Sequence, residues 1–389
     1  MTMRGAIHLL FLGVCLAILT LPALNMVFPL FTEAQLSGAV ETAGLPRLTL
    51  RGIADETFQS GFSTWFAQRY GARATATRLD NSIAYGLFAE APPEKHVRVG
   101  ARRVLFLDEQ MGHYNRTDRP DHARYAASLK QAQELMLARG KVLIFMLLPT
   151  KTNIWREEVP REWSLPLGEP RPCNAQVSIP FKEALRAAGA TFVDGPRVLA
   201  ALGKENPDAL YTRTGRHLGP PGMCLVLEEG LRIARPLLRD SEIPTLDCSF
   251  HMVTKNDFDP RAEENDLLRL MNVWSPYPNV AVPVMDAELP ERVPRERRPD
   301  TLVVGTSFGW GVLSEAERNH ALGRLRFHYY GKLLVEQLSG PHKPVELGTP
   351  DWRDLMESHS LFLMPVPEEY LDVDGAEFLS RVIALYKDQ

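Results

Sequence analysis

A serine follows a short apolar run in the last third of the chain, in the segment Gly305-Thr-Ser307-Phe308. The run at 301–304 is typical of a buried strand, and the residues after Phe308 favour a helix. In open α/β sheets, ligands bind beside the carboxyl ends of strands. A serine hydroxyl there can act as a nucleophile, with nearby backbone N–H groups to bind an oxyanion. The alternative interpretation is that Ser307 only caps the helix.

The second candidate residue is His217, in the polar stretch 211–220. A serine nucleophile needs a base to take its proton, and imidazole titrates near neutral pH. Arginines and tyrosines near these two blocks are suited to a sugar groove, because guanidinium groups bind carboxylates and aromatic faces stack on sugars. Packing or surface exposure is the alternative for this set, which comprises Tyr211, Arg213, Arg216, Tyr329 and Tyr330.

The elements that must position these residues alternate between helix and strand. An apolar stripe at helical spacing runs through 123–139 and stops at Gly140, and a continuous apolar run follows at 141–149. A helix ending near Gly189 and a strand at 191–194 repeat this order, and 301–304 supplies a third strand. Such strands are buried on both faces in parallel sheets. The sequence therefore predicts an α/β fold with a parallel sheet and helices on both faces.

The N-terminal segment is apolar from Ala6 to Leu24, with Arg4 before it and no further charge until Glu33. This pattern is typical of a secretory signal or a membrane anchor. We expect an uncleaved anchor with a cytoplasmic N-terminus, which leaves the rest of the chain outside the cytoplasm. The predicted organisation is an anchor at 1–31, a linker at 32–50 and one domain at 51–389, with a Pro- and charge-rich excursion at about 240–300.

Composition excludes some classes of function. The 389 residues include 44 basic and 48 acidic side chains, a net charge of -4, which argues against a nucleic-acid-binding protein because such a protein would need a basic face. Cys15 lies in the apolar segment, which leaves three cysteines, Cys173, Cys224 and Cys248. One disulfide can form among them outside the cytoplasm, and the sequence leaves the pairing open. Without a Cys-x-x-Cys spacing we expect no metal site, and no cofactor.

Taken in order, the motifs resemble those of the SGNH-hydrolase-like proteins of the AlgJ/AlgX type, the alginate O-acetylation family. The matching blocks are 97–107, Pro149-Thr-Lys151, Gly215-Arg-His217-Leu218, Asn265-Asp-Leu-Leu-Arg-Leu-Met271 and Gly305-Thr-Ser307-Phe308. The resemblance covers most of the chain from about residue 50. It implies an SGNH-like domain in which aspartate, histidine and serine transfer an acetyl group to a polysaccharide hydroxyl. It also implies a membrane-bound O-acyltransferase partner, because an exported enzyme has no cytoplasmic acetyl-CoA.

The chain departs from this family at the aspartate of the Asp-x-His-Trp block, which is Gly215 here, and at its tryptophan, which is Leu218. Glycine has no side chain to orient or stabilise the imidazole. In subtilisin, loss of the triad aspartate costs about 3 × 10⁴ in kcat, which is about 6 kcal/mol. Asp208 is the substitute carboxylate that we select, with Asp194 as a further candidate.

Two hypotheses about function follow. The first is an extracytoplasmic O-acetyltransferase or esterase that acts on a cell-surface or exported polysaccharide through an acyl-enzyme on Ser307, with His217 as the base. The second is an inactive protein of the same fold, retained to bind glycan or to scaffold a polysaccharide-modification complex. Gly215 and Leu218 motivate the second hypothesis.

Overall fold

The structure is a computed structural model that describes residues 3–38, 43–92, 95–112, 121–160, 174–255, 265–274, 280–286, 292–336, 340–371 and 375–387. Cys173 lies outside the described residues. The helices are α1 (Met3–Val27), α2 (Leu50–Ala54), α3 (Thr57–Arg69), α4 (Arg73–Ile83), α5 (Asp108–Gly112), α6 (His122–Leu137), α7 (Lys151–Ile154), α8 (Asn174–Ala187), α9 (Gly195–Val198), α10 (Ala200–Glu205), α11 (Pro207–Leu210), α12 (Pro220–Ala234), α13 (Asp266–Met271), α14 (Gly309–Arg318), α15 (Pro350–Ser358) and α16 (Ala376–Lys387). The strands are β1 (Val97–Val99), β2 (Leu105–Leu107), β3 (Val142–Leu148), β4 (Phe192–Asp194), β5 (Phe250–Lys255), β6 (Val280–Met285), β7 (Thr301–Gly305), β8 (Leu325–Tyr329), β9 (Leu333–Val335), β10 (Lys343–Pro344) and β11 (Leu361–Pro367).

The predicted helix and strand on either side of Gly140 are both present. Helix α6 begins where the Asp121 carboxylate accepts a hydrogen bond from the backbone N–H of Arg124 (2.9 Å). Gly140 follows the helix with a φ of 69°, in the left-handed region that glycine adopts without strain. Strand β3 then starts, and all seven of its residues are buried, as expected for a central parallel strand.

The main sheet has seven strands in the order β10-β9-β8-β7-β11-β3-β4. The five strands from β8 to β4 pair in parallel, and β9 and β10 add an antiparallel edge. The carboxyl ends of β7, β11, β3 and β4 therefore lie at one edge. This edge is where the fold class predicts a ligand site.

Helices cover both faces of this sheet. Ile144 and Met146 of β3 belong to one core cluster, which includes side chains of α12 and α14. Phe145 and Leu147, the alternate residues, belong to a second cluster with side chains of α6, α8, α15 and α16. This alternation follows from the two-residue period of a strand. The predicted α/β fold with a helix-covered parallel sheet is confirmed.

The excursion between about 240 and 300 contains a two-stranded antiparallel sheet. Its strands β5 and β6 pair over six residues each, from Phe250 opposite Met285 to Lys255 opposite Val280. A disulfide joins Cys224 of α12 to Cys248, just before β5. The pairing that the sequence left open is therefore Cys224 with Cys248.

The chain divides into two compact units. Unit 1 comprises Met1–Lys95 with Leu268–Pro276, and unit 2 comprises His96–Leu267 with Tyr277–Gln389. The main sheet and the two-stranded sheet of β5 and β6 belong to unit 2. In unit 1, the stretch Gly5–Met26 of α1 is long and apolar enough to cross a membrane, a property that signal sequences share. The boundaries expected at residues 31 and 50 stay predictions.

Candidate active site

Ser307 lies in the turn between β7 and α14, at the carboxyl end of the sheet. The turn is tight: the N–H of Gly309 donates to the carbonyl of Thr306 (2.9 Å), and the N–H of Trp310 donates to the carbonyl of Ser307 (3.2 Å). Residue 309 must be small, because a Cβ there would lie 2.4 Å from the ring of Phe327. The local sequence therefore sets the serine at a strand-to-helix turn, with its hydroxyl beside His217.

The imidazole of His217 meets that hydroxyl. Nε2 of His217 lies 2.8 Å from Oγ of Ser307, although 90 residues separate the two in the chain. The ring also packs edge-on against Phe308, with centroids 5.1 Å apart. A base within hydrogen-bond reach of a hydroxyl is the geometry that nucleophilic catalysis requires.

A carboxylate orients the other side of the imidazole, and it is Asp266. Its Oδ2 lies 2.8 Å from Nδ1 of His217. Its Oδ1 accepts a hydrogen bond from the backbone N–H of Arg216 (2.8 Å), so both carboxylate oxygens have partners. With Nδ1–H donated to Asp266, Nε2 is the free base that faces Ser307. These distances describe a complete carboxylate–imidazole–hydroxyl relay.

The carboxylate that we selected from the sequence lies elsewhere. Asp208 pairs with Arg213 (3.6 Å), and burial raises its pKa. Asp194 accepts a hydrogen bond from the backbone N–H of Arg197 (3.3 Å) at the start of α9, and it pairs with Lys182 and Arg186. Neither aspartate is the partner of His217, so Asp266 corrects the selection of Asp208.

Sequence reasoning missed Asp266 although its block was recognised. The residue lies 49 positions after His217, at the first position of α13, whereas the family motif places the acid two positions before the histidine. The available signal was an aspartate in a block that matched in order and had no assigned role. Gly215 occupies the usual position of the acid.

The expected sugar-groove residues divide into two groups. Tyr211 is fully buried and its hydroxyl donates to the carbonyl of Pro149 (2.6 Å), so it cannot stack on a sugar, and this expectation is wrong. Arg213 is half-exposed and lies over the ring of Trp155 (5.7 Å). Its guanidinium also faces Asp208.

Arg216, Tyr329 and Tyr330 lie nearer the relay. The guanidinium of Arg216 donates to Glu109 (2.9 Å) and to the hydroxyl of Tyr370. Tyr329 is level with Gly305 in the β7–β8 pairing, and the N–H of Tyr330 donates to the carbonyl of Gly305 (2.9 Å). The two tyrosine rings are 4.4 Å apart, and Tyr330 is 55% exposed. An aromatic pair, of which Tyr330 is exposed and Tyr329 is partly buried, therefore borders the turn that holds Ser307.

A small cavity adjoins the imidazole. Its volume is about 190 Å³, and it is lined by Thr212, His217, Leu218, Gly219, Pro220, Val282 and Pro283. The last two residues belong to β6, so the 240–300 excursion supplies one wall of the site. Among the described residues, no group of three or more His, Cys, Asp or Glu side chains is placed to hold a metal ion.

Residues 97–311 match the family model of the SGNH hydrolase-like domain of acetyltransferase AlgX. The match covers more than half of the chain and contains His217, Asp266 and Ser307. The chain belongs to this AlgX family. The resemblance drawn from the order of the motifs is confirmed. No curated protein matches the chain.

Several solved structures are similar to this AlgX-family chain. The O-acetyltransferase domain of Pseudomonas putida AlgJ is 14% identical, with a TM-score of 0.44 over 74% of this chain and 99% of that one. Pseudomonas aeruginosa AlgX is 13% identical, with a TM-score of 0.45 over 77% of this chain and 72% of that one. Bacillus cereus PatB1, solved with a sulfonyl adduct, is 9% identical, with a TM-score of 0.42 over 66% of this chain and 92% of that one.

Proposed function

We propose that this chain is an extracytoplasmic O-acetyltransferase, with esterase activity when water is the acceptor, and that it modifies a cell-surface or exported polysaccharide. Ser307 is the nucleophile, His217 the general base and Asp266 the residue that orients and stabilises the imidazole. The observation that carries the proposal is the pair of 2.8 Å contacts that His217 makes, one with Ser307 and one with Asp266. Membership of an acetyltransferase family supports the choice of acyl group.

The first half-reaction forms the acyl-enzyme. Oγ of Ser307 attacks the carbonyl carbon of an acyl donor while its proton passes to Nε2 of His217. The charge on the imidazolium is stabilised by Asp266, which stays ionised. As the tetrahedral intermediate collapses, the bond to the leaving oxygen breaks and His217 returns the proton to it. Backbone N–H groups near Ser307 are the candidates for stabilising the oxyanion.

The second half-reaction transfers the acyl group. A polysaccharide hydroxyl gives its proton to Nε2 of His217 and attacks the carbonyl carbon of the acyl-serine. Collapse of the second tetrahedral intermediate releases the ester and returns the proton to Oγ of Ser307. Tyr329, Tyr330 and Arg216 border this site and are the residues proposed to contact the sugar.

The location and partners follow from α1 and from the chemistry. We infer that α1 anchors the chain in the inner membrane and that unit 2 works in the periplasm. A membrane-bound O-acyltransferase would supply the acyl group from the cytoplasmic side, because the proposed reaction needs an activated acyl donor outside. The apolar stretch Gly5–Met26 supports the anchor.

The competing hypothesis of an inactive scaffold rested on the missing motif aspartate. Asp266 supplies a carboxylate at hydrogen-bond distance from Nδ1, so Gly215 is no argument against turnover. Leu218 is buried and lines the cavity beside the imidazole. We therefore propose the catalytic function alone.

The test uses the full chain in detergent micelles with a chromogenic acetyl ester, and then with an oligosaccharide acceptor. Ser307→Ala and His217→Ala should each lose ester hydrolysis and acetyl transfer, whereas Ser314→Ala, a change on the exposed side of α14, should keep both. Unchanged hydrolysis in Ser307→Ala would exclude the proposal.

A further inference from the structure

A buried lysine contacts the backbone just before His217. Lys151 is the first residue of α7, shortly after the end of β3, and it is fully buried. Its Nζ donates to the carbonyl of Arg213 (3.0 Å) and to the carbonyl of Gly215 (2.6 Å). Burying a lysine side chain costs free energy unless its polar end is hydrogen-bonded. Here the two backbone carbonyls supply those hydrogen bonds, so the lysine and this segment hold each other in place.

The carbonyl of Gly215 and the N–H of Arg216 belong to the same peptide unit. Lys151 binds the carbonyl side of this peptide, and Oδ1 of Asp266 accepts the N–H on its other side (2.8 Å). Because a peptide unit is planar, fixing its carbonyl also fixes the direction of its N–H. One rigid group therefore connects the lysine to the carboxylate that meets His217.

The segment 213–216, which contains this peptide unit, is linked to the start of α13 at a second point. The N–H of Leu267 donates to the carbonyl of Thr214 (3.1 Å), and the Thr214 hydroxyl donates to Oδ1 of Asn265 (3.0 Å). Residues 213–215 thus lie between the lysine and the residues that flank Asp266. In the family pattern an aspartate occupies position 215, and here the backbone at that position links the lysine to Asp266.

We propose that Lys151 is a positioning residue that sets Asp266 against His217 through the peptide unit between Gly215 and Arg216. This inference rests on the proposed function for its effect on rate, although the geometry of the Asp266–His217 contact can be measured without activity. The chemistry remains with Ser307, His217 and Asp266.

The chain offers a matched control in Lys141, just before β3. Lys141 is also buried, and its ammonium group donates to the carbonyls of Glu357 (2.9 Å) and His359 (3.2 Å). It lies at the amino end of the strand, the opposite end from Lys151. Replacing either lysine with methionine removes two hydrogen bonds, but only Lys151→Met removes them from the segment 213–216 next to His217.

The experiment measures the downfield proton resonance of the His217 Nδ1–H···Asp266 hydrogen bond and the rate at which a fluorophosphonate labels Ser307. Lys151→Met should lose the resonance and label on the order of 10²-fold more slowly, the cost of a small misplacement. Lys141→Met should keep both. If Lys151→Met does not fold, Lys151→Gln, which retains one amide donor, is compared with the wild type by the same measurements.

Retention of the resonance and of the labelling rate in the Lys151 variants would overturn the inference, as would equal losses in Lys141→Met. A wild type that is never labelled would refute the proposed function, and the resonance would still report on Lys151.

A second observation, independent of the first, concerns unit 1. Outside α1, nineteen large apolar side chains among the described residues are exposed, and thirteen of them lie between residues 28 and 88. They include Phe62 and Phe66 on α3 and, after α4, Leu87 (75% exposed) and Phe88 (65% exposed). A concentration of exposed apolar side chains of this kind marks an interaction surface.

The part of this surface formed by α3, α4 and residues 84–88 is attached to the end of α1. The side-chain amide of Asn25 donates to the carbonyl of Gly71 (2.6 Å), in the turn between α3 and α4. A Cβ on Gly71 would lie 2.2 Å from the carbonyl oxygen of Pro22, so the turn packs closely on the helix. The Glu33 carboxylate accepts hydrogen bonds from the N–H groups of Ala74 (3.1 Å) and Thr75 (2.7 Å) at the start of α4.

We infer that the apolar surface of α3, α4 and residues 84–88 lies in the head-group region of the bilayer that α1 crosses. The attachment of this surface to the exit of α1 selects lipid as the occupant, and Trp65 on α3 and Tyr70 just after it are side chains that favour this interface. This inference rests on the proposed anchor.

The test places nitroxide labels on the full chain in phosphatidylcholine–phosphatidylglycerol vesicles, with Cys15 and Cys173 replaced by serine. A label at Leu87→Cys should be more accessible to oxygen than to a water-soluble nickel reagent. A label at Leu137→Cys, an exposed leucine of unit 2, should show the reverse. Equal nickel accessibility at both sites would overturn the inference, and a label at Leu12→Cys tests the anchor separately.

Discussion

Replacing Asp266 with asparagine should remove most of the activity and leave the fold intact. The asparagine oxygen can still accept the N–H of Arg216, which Oδ1 accepts now (2.8 Å). Its amide group, however, would face Nδ1 of His217, which now lies 2.8 Å from Oδ2. The imidazole would then have to accept at Nδ1 and carry its proton on Nε2, where it cannot take a proton from Ser307.

The size of the loss follows from this change of tautomer. The equivalent aspartate-to-asparagine change in a serine protease lowers kcat about 10⁴-fold, which corresponds to about 5 kcal/mol of transition-state stabilisation. Water cannot readily take over the role, since the Asp266 side chain is only 12% exposed. We therefore expect a loss of about 10⁴-fold in kcat, with little change in KM.

The assay is steady-state hydrolysis of a chromogenic acetyl ester, with thermal unfolding of each variant measured in parallel. Asp208→Asn is the control, because Asp208 faces Arg213, and it should stay within about tenfold of the wild type. The reasoning is refuted if Asp266→Asn keeps activity within tenfold of the wild type, or if Asp208→Asn loses as much.

Three further predictions concern stability and substrate binding. Burial raises the pKa of Glu369 to about 7. The neutral carboxyl therefore stabilises the fold fully below about pH 4.5, and this contribution is lost as pH rises through 7. The free energy of unfolding of the wild type, measured by chemical denaturation, should fall by about 3 kcal/mol over this range, and Glu369→Gln should remove that fall. Cys224→Ser should lower the free energy of unfolding by about 3 kcal/mol in non-reducing buffer, because the bridge to Cys248 closes a loop with a sequence separation of 24, and reductant should abolish the difference from the wild type. Tyr330→Ala should raise KM for an oligosaccharide about tenfold and leave hydrolysis of a small acetyl ester unchanged, whereas equal effects on both substrates would exclude a sugar contact.

Much of the sheet could be predicted, because its strands are continuous apolar runs with turn residues at their ends. The run at 141–149 contains β3, and the serine turn after 301–304 lies where the pattern places it. Parallel strands end at one edge, and this rule is enough to predict where Ser307 would lie, although it says nothing about the loop that carries His217.

The acid of the relay could not be read from spacing. Asp266 reaches His217 from the start of a short helix inside the 240–300 excursion, so the contact depends on tertiary packing and not on a local motif. Tyr211 is not a sugar contact for a similar reason. Its ring is buried in the tertiary structure, and its hydroxyl is satisfied there by the carbonyl of Pro149, which the polar stretch around it did not indicate. The pairing of Cys224 with Cys248 likewise required coordinates.

The most direct test of the relay is to trap the acyl-enzyme. The full chain would be mixed with an activated acetyl ester, quenched in acid within the first turnover and digested, and the acetylated peptide mapped by mass spectrometry. We expect an acetyl group on Ser307 that His217→Ala does not form and that an added oligosaccharide removes. Acetylation at another residue, or of Ser307 to the same extent in His217→Ala, would contradict it.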